Sequence, residues 1–190
     1  MPGNTRERMV QAAVQALQRR GVAGMSFTEV LTSSGAARGA IYHHFPGGKA
    51  QLVAEAASRN GADVRAQLVL LPATSPRTVV ESFLAAVRPV VESATIGGGC
   101  AVAAVTVVDD EHGDQLRRTA ASAFASWIDA LADALTRAGL TAGDATDLAA
   151  TLIALLEGAH ILCRAAESLA PFDHAARATL ALLACRYPDG

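Results

Sequence analysis

The sequence predicts an all-α protein from three observations: its composition, its helical periodicity and the positions of its glycines and prolines. Hydrophobic residues make up 51% of the 190-residue chain but aromatic residues only 4%, and alanine is abundant. Alanine is the best helix former, whereas strands prefer β-branched and aromatic residues. Apolar residues recur at helical spacing in runs that end near glycine or proline. We therefore expect about nine helices, with three short ones at the N-terminus and a larger helical domain after them.

The three N-terminal helices are predicted to be short and closely spaced. The first is amphipathic and should end at Gly21. The second should begin after Ser26, because Ser26 and Glu29 have the spacing of a capping box. The third should stop at Pro46, which precedes two glycines. The expected ranges are 5–20, 27–31 and 37–44.

The remainder of the chain is predicted to form longer helices. Pro89 should kink one of them or mark its last turn, and Gly97–Gly99 should be a flexible joint. The segment CAVAAVTVV, residues 100–108, reads locally as a strand because valine and threonine favour extended structure. The sequence has no second strand candidate to pair with it, so we reject a strand there. The expected ranges are 49–71, 77–94, 113–138, 144–169 and 174–186.

The formal net charge of −2 is distributed unevenly along the chain. Up to Lys49, the only lysine, six basic residues stand against two acidic ones, a balance of +4. The remainder carries ten arginines against sixteen acidic residues, a balance of −6. A basic N-terminal segment on an acidic body indicates that this segment meets an anion.

The N-terminal segment has the layout of a helix-turn-helix, in which two short helices are joined by a glycine-containing turn. The second helix of that motif enters the major groove of DNA. Arg38 falls in its predicted first turn, where a guanidinium can bind guanine at two points or grip a phosphate. Tyr42 and His43 can donate hydrogen bonds to phosphates, and Lys49 lies at the next helix N-terminus, which favours anions. The predicted core of the motif is Phe27, Val30, Leu31, Ile41 and Phe45.

The segment GAARGAIYHHFPGGKAQL, residues 35–52, resembles the DNA-binding head of the TetR family of transcriptional repressors. The aromatic-rich IYHHF, the loop after it and the lysine occur in that family's order. The PGGK form and the later AFASW and EGA segments resemble the LmrA/YxaF-like subgroup, which contains drug- and flavonoid-responsive repressors. Ala36-Ala37 stands where many members have Val-Ser, so the hydroxyl N-cap of the recognition helix is missing. Such a loss typically costs about 1 kcal/mol, and Ser34 could partly replace the cap.

This resemblance implies a DNA-binding domain at residues 1–48 and a helical regulatory domain at 49–190. The regulatory domain would dimerise through its last two long helices, at about 144–169 and 174–186. The implied function is a repressor that binds a palindromic operator as a homodimer and is released by a small, largely apolar effector. An activator on the same fold is the alternative. The candidate DNA-binding residues are Ser26, Thr28, Ala37, Arg38, Gly39, Ala40, Tyr42, His43 and Lys49.

The regulatory half offers candidate effector-binding residues. Pockets between bundle helices are mostly apolar with a few polar anchors. The helix containing Leu152 and Leu156 is apolar on nearly every side, so it must be covered from more than one direction, and a second copy of the chain is a natural source. The candidate effector-binding residues are Phe83, Cys100, Phe124, Trp127, Glu157, His160 and Arg164.

Two other classes of protein stay open. Glu157 and His160 have the i, i+3 spacing of di-iron carboxylate proteins, and Asp109 with His112 echoes it, which would suit a metal-dependent helical-bundle enzyme. Such a bundle needs two further inward glutamates, and the sequence offers no convincing pair. We therefore expect no metal, no cofactor and no enzymatic activity. A helical interaction module without DNA binding is the third class.

The cysteines and the hydropathy pattern limit the cellular context. Cys100, Cys163 and Cys185 are far apart and form no CxxC pair, which argues against a disulfide framework or a zinc site. We expect all three to be small core residues. The sequence shows neither a secretion leader nor an apolar run near bilayer length. The expected location is cytoplasmic, without membrane contact.

Overall fold

The computed structural model describes residues 5–109 and 112–187 and confirms the all-α fold class. Within these residues the chain forms nine helices and no strand. Residues 100–108 contain no strand, as predicted, and include a short helix that was not predicted. The helices are α1 (Thr5–Gly24), α2 (Phe27–Ser34), α3 (Ala40–His44), α4 (Gly48–Val69), α5 (Pro76–Ala94), α6 (Ala101–Ala104), α7 (Gly113–Arg137), α8 (Ala142–Ala166) and α9 (Ala170–Arg186).

The chain divides into two compact units. The first unit comprises the residues up to Asp63 together with Cys100–Ala123. The second comprises Val64–Gly99 together with the residues from Phe124 onward. The helices α4 and α7 therefore each contribute residues to both units. The predicted division of the chain into domains after residue 48 stays a prediction.

The core of the first unit is built on the apolar face of α1. Met9, Ala13 and Leu17 recur at four-residue spacing and are fully buried. This helix packs against α2 and against α6. Gly61 lets α4 lie very close to α7, because a Cβ at this position would lie 2.8 Å from the Cβ of Ala123. Any side chain at residue 61 would force the two helices apart.

The second unit is a set of helices in which α5, α8 and α9 contact one another pairwise. The buried face of α5 carries Val80, Phe83 and Val91, all fully inaccessible to solvent. Leu152 of α8 and Trp127 of α7 are buried as well. Large apolar side chains from α5, α7 and α8 thus fill this core, and they supply most of its hydrophobic stabilisation.

Three helix boundaries in this unit differ from the predicted ones for identifiable reasons. The predicted start of α8 at residue 144 was late, because Thr141 caps the helix by accepting a hydrogen bond from the Asp144 N–H at 3.2 Å. The helices expected at 144–169 and 174–186 instead end at Ala166 and begin at Ala170, and Pro171 lies in the first turn of α9, where proline is tolerated. The helix α5, by contrast, ends at Ala94 as predicted, and it continues through Pro89. Pro89 and Ala85, four residues earlier, are both exposed, so water can satisfy the carbonyl that loses its partner.

Two further expectations were wrong: that the chain has no apolar segment near bilayer length, and that all three cysteines lie in the core. Among the described residues, α8 is long and apolar enough to cross a membrane by length and composition alone, although 39% of its most apolar window is buried inside the protein. The core helix of a soluble protein meets the same criterion. Of the cysteines expected in the core, only Cys163 is buried, whereas Cys100 is half-buried and Cys185 is exposed.

Candidate DNA-binding surface and regulatory residues

The helix α2, which precedes the recognition helix in the helix-turn-helix, is fixed at both ends. At its start, the Glu29 N–H donates to the Ser26 hydroxyl at 3.2 Å, which confirms the predicted N-cap. The Glu29 carboxylate lies 3.6 Å from Arg19 and 3.4 Å from Arg20, so it ties α2 to α1. At its end, Gly35 has φ of 65°, a left-handed conformation that glycine adopts without strain. This helix runs to Ser34, three residues beyond its predicted end.

The recognition helix α3 is shorter than predicted. It begins at Ala40, and its N-cap position is Gly39, which has no side chain to make a cap. Arg38 therefore lies in the turn before the helix and not in its first turn. A hydrogen bond from the Ala40 N–H to the Ala37 carbonyl at 2.9 Å closes that turn. Ser34 does not replace the missing cap, because its hydroxyl donates to the Leu31 carbonyl at 3.2 Å within α2.

Buried apolar side chains hold α3 in place. Val30, Ile41 and Phe45 are at most 2% exposed, as predicted for the core of the motif. Phe27 and Leu31, predicted to share that core, are only half-buried. The Phe27 ring instead meets the ring of Tyr42 edge-on, with centroids 6.0 Å apart and an angle of 81° between the planes. This aromatic contact joins the start of α2 to α3.

Ion pairing separates the basic residues of this segment into two groups. Arg6 pairs with Glu55, and Arg19 and Arg20 both lie near Glu29. Neither Arg38 nor Lys49 takes part in an ion pair within the described residues. Arg38 is exposed and Lys49 is half-buried. These two cations remain available for an anionic partner.

Lys49 is the second residue of α4, as the sequence predicted within one residue. The side chain of Gln51 orders this helix start, because its Oε1 accepts a hydrogen bond from the Gly47 N–H at 2.9 Å. Gln51 also donates to Glu55 at 2.9 Å, one turn further along α4. The first backbone N–H groups of a helix and its dipole attract anions. A cationic side chain in this turn adds to that attraction.

The predicted DNA-binding residues are mostly exposed. Tyr42 has 66% of its surface open to solvent although it is a large aromatic residue. Ala40 and Lys49 are half-buried. The exposed residues of the set are Ser26, Thr28, Ala37, Arg38, Gly39, Tyr42 and His43. They come from the start of α2, the turn before α3 and α3 itself, the parts of a helix-turn-helix that can reach DNA.

Family models match both parts of the chain. Residues 9–56 match the bacterial regulatory proteins of the tetR family. Residues 76–178 match the C-terminal domain of LmrA/YxaF-like transcriptional regulators. The chain belongs to the TetR family of bacterial transcriptional regulators. This TetR-family chain thus combines the N-terminal part that is typical of the family with the C-terminal domain of the LmrA/YxaF-like subgroup, as the sequence segments predicted.

Individual relatives agree with this assignment. An HTH-type transcriptional regulator of Mycobacterium tuberculosis is 33% identical over 189 residues, which cover 97% of this chain and 96% of the relative. The HTH-type transcriptional regulator LmrA of Bacillus subtilis is 25% identical over 174 residues, covering 90% and 93% of the two chains. A TetR transcriptional regulator from Chloroflexus aurantiacus superposes with a TM-score of 0.76 at 25% identity, covering 94% of this chain and 93% of that one.

The predicted effector-binding residues of this TetR-family regulator fall into separate groups. Phe124 and Trp127 meet edge-on, with ring centroids 5.1 Å apart, and Phe83 is fully buried in α5. These three residues belong to the second unit. Cys100 belongs to the first unit and is the N-cap of α6, where its sulfur accepts a hydrogen bond from the Ala103 N–H at 3.3 Å.

The polar members of the set share one side of α8. Glu157 Oε2 lies 4.0 Å from His160 Nδ1, and the side chain of His160 is only 8% exposed. Neither ring nitrogen of His160 makes a hydrogen bond of normal geometry within the described residues. Burial lowers the pKa of His160 below its ordinary value of 6.5; the nearby Leu156 carbonyl opposes this effect and the charge of Arg164 adds to it. One turn further along, Arg164 Nη2 donates to the Gly97 carbonyl at 2.9 Å and also to that of Gly98. The Arg164 side chain thus links α8 to the segment Gly97–Gly99, which was predicted to be a flexible joint.

The alternative of a metal-dependent enzyme gains no support from the described residues. They contain no group of three or more His, Cys, Asp or Glu side chains placed to hold a metal ion. Asp109 and His112 lie in the first unit, whereas Glu157 and His160 lie in the second.

A groove of about 510 Å³ between α1 and α4 is lined by charges that already pair across it, Arg6 with Glu55 and Arg59 with Glu7. None of the predicted effector-binding residues lines this groove.

Proposed function

We propose that this TetR-family regulator is a homodimeric repressor that binds a palindromic operator and is released by a small, largely apolar effector. The DNA-binding part of this proposal rests on the exposed surface around Arg38 and Tyr42. The arginines of the same segment that lie near Glu29 and Glu55 are already neutralised by these carboxylates. In this proposal Arg38 hydrogen-bonds either a guanine base or a phosphate of the operator. Tyr42, His43 and Lys49 contact the phosphate backbone, and the small residues Ala37, Gly39 and Ala40 allow the backbone to approach.

The dimer is proposed to form through α8 and α9. Ile161 is 70% exposed, Leu162 is 58% exposed and Leu182 of α9 is 70% exposed. A soluble protein rarely leaves several large apolar side chains open on adjoining helices unless a partner covers them. A symmetric pair of such surfaces is self-complementary, which suits a two-fold dimer. Two heads related by this axis would read half-sites about 34–36 Å apart, or a multiple of that spacing.

The effector is proposed to bind in the regulatory domain, for which we retain the boundary after residue 48. The aromatic pair Phe124–Trp127 and buried Phe83 offer apolar contacts, and Glu157, His160 and Arg164 are the polar anchors. Cys100 stays in this set on sequence grounds alone. An effector that binds more tightly to the DNA-free form weakens operator binding by its difference in affinity for the two forms, commonly 1–3 kcal/mol. The proposed location of such a regulator is the cytoplasm, where the DNA lies.

The test is to capture genomic DNA fragments on the purified protein and then to measure their release. We expect enrichment of fragments with an inverted repeat, retarded in electrophoresis at moderate salt, and loss of the complex with at least one compound from a panel of planar drugs and flavonoids. Binding without any sequence preference would contradict the operator proposal. An enriched operator that no compound releases would contradict the ligand response alone.

A further inference from the structure

The recognition helix α3 has little local support of its own. It is only five residues long, and Gly39 at its N-cap makes no side-chain hydrogen bond. An isolated helix of this length is unstable in water. Its orientation therefore depends on side chains that contact it from other helices. Ile41 and Phe45 anchor its buried face.

Among the described residues, a single aromatic contact to α3 comes from another helix and reaches its exposed side. The ring of Phe27 meets Tyr42 edge-on with centroids 6.0 Å apart, within the preferred range for aromatic pairs. Phe27 is itself well placed, because it is the first residue of α2, directly after the Ser26 cap. Phe27 is half-buried, whereas Tyr42 is 66% exposed. Tyr42 therefore has a fixed neighbour on one side and solvent around most of its surface.

We propose that Phe27 is a positioning residue that holds the Tyr42 side chain for its contact with a DNA phosphate. This inference rests on the proposed function, in which Tyr42 donates its hydroxyl to the phosphate backbone. An exposed tyrosine that moves between rotamers must be immobilised when DNA binds, and the edge-on contact with Phe27 reduces that entropic cost in advance. Ser26 and Thr28, the neighbours of Phe27, belong to the same exposed surface, so the start of α2 and the ring of Tyr42 act together.

The contact itself is testable without DNA. The chain contains two tyrosines, Tyr42 and Tyr187, so protein labelled with 3-fluorotyrosine should give two fluorine resonances, and Tyr42→Phe assigns one of them. Phe27→Leu keeps an apolar side chain but removes the ring and its ring-current field. We expect the Tyr42 resonance to shift in this variant and the Tyr187 resonance to stay in place. An unchanged Tyr42 resonance would overturn the proposal.

A double-mutant cycle on a random-sequence duplex tests the positioning role, because phosphate contacts do not depend on sequence. Phe27→Leu should weaken binding by about two- to tenfold, the range expected for the loss of one aromatic pair. In the Tyr42→Phe background, where the hydroxyl is absent, the same change should cost less than about twofold. Phe27→Tyr, which keeps the ring, should bind nearly as well as the wild type. Thermal unfolding of each variant checks that the head remains folded.

The other outcomes are distinct. An equal loss of affinity in both backgrounds would show that Phe27 acts only through the stability of the head, and it would overturn the proposal. Unchanged binding of the Tyr42→Phe variant would show that the phosphate contact is absent, and the positioning role would fall with it. Failure of the wild-type protein to bind any duplex would instead overturn the proposed function.

Discussion

The helix-turn-helix and the pair α8–α9 differ in the side chains that they expose to solvent. In the helix-turn-helix, apolar residues such as Phe45 are inside, and the arginine and hydroxyl groups that meet water, including Arg38 and Tyr42, are outside. In α8, the imidazole of His160 is inside, and Ile161 beside it is 70% exposed. Under the proposed function these two surfaces suit different partners: the first a polyanion, the second the apolar surface of another subunit.

The same comparison separates two energetic situations. The head keeps its charges in water, where ion pairs such as those near Glu29 contribute little to stability. In α8, a buried imidazole without hydrogen bonds of normal geometry lowers the stability of the second unit. A ligand that gave this imidazole a hydrogen-bond partner would offset that cost, which suits His160 as a polar anchor for the proposed effector.

The largest effect is expected from a charge on the exposed apolar face. Ile161→Asp places a carboxylate where the proposed dimer contact would remove it from water, which costs several kcal/mol. We expect the dimer dissociation constant to rise by at least about 100-fold, with a monomer in sedimentation velocity at micromolar concentration. Cooperative binding to an inverted repeat should be lost with it.

Val90→Asp is the matched control for this substitution. Val90 is an exposed apolar residue of the same unit, with 44% of its surface accessible, but it lies on α5. The control variant should remain a dimer. If Ile161→Asp remains a dimer as well, the apolar face of α8 is not the subunit contact, and the contrast between the two regions loses its functional meaning.

The next largest effect is expected at Arg38. Arg38→Ala should weaken binding to the captured operator by about 5- to 150-fold, the loss that corresponds to one bidentate base contact. Thermal stability and dimer formation should stay unchanged because Arg38 is exposed. Arg118→Ala, which removes an exposed arginine from α7, is the matched control. Equal operator affinity of the two variants would remove Arg38 from the interface.

The helix-turn-helix could be predicted from sequence in unusual detail because its signals are local. The Ser26 cap, the glycine after α2 and the lysine at the start of α4 each act within a few residues. The prediction missed the true start of α3, because the Ala-Arg-Gly segment before it has no side chain that caps a helix. It also placed Phe27 in the core, since a phenylalanine beside a cap gives no local sign that it contacts a residue of the next helix.

The regulatory half was predictable as helices but not as a site. Thr141 and Pro171 were available as start signals, yet proline also ends helices, and the sequence does not decide between the two roles. For α8, an apolar residue at nearly every position gives no periodicity from which to tell the buried side from the exposed one. The burial of His160 and the bonds from Arg164 to the glycine joint depend on contacts distant in sequence, which spacing rules do not contain.

A smaller effect is expected from the titration of His160. Its pKa in the folded protein is lowered, so the unfolded chain binds more protons once the pH falls below about 6.5. Stability should therefore decrease as the pH falls from about 6.5 through the folded pKa, by up to about 1.4 kcal/mol per pH unit. His160→Gln cannot titrate in this range. The difference in unfolding free energy between wild type and this variant should change from pH 8 to pH 5.5 in favour of the variant, and a constant difference would show that His160 does not govern acid stability.

The smallest effect is expected from Lys49, the second residue of α4. Lys49→Ala removes a cation that has no ion-pair partner within the described residues, at a helix start that attracts phosphate. Affinity for operator and for random DNA should fall alike, and the slope of log affinity against log salt should flatten by about 0.9 for each bound head. Arg77→Ala is the control for net charge, because Arg77 lies on α5 and already pairs with Glu81 at 2.8 Å. An unchanged slope for Lys49→Ala, or an equal change in both variants, would mean that the lysine only adds to the general charge of the protein and contacts no phosphate.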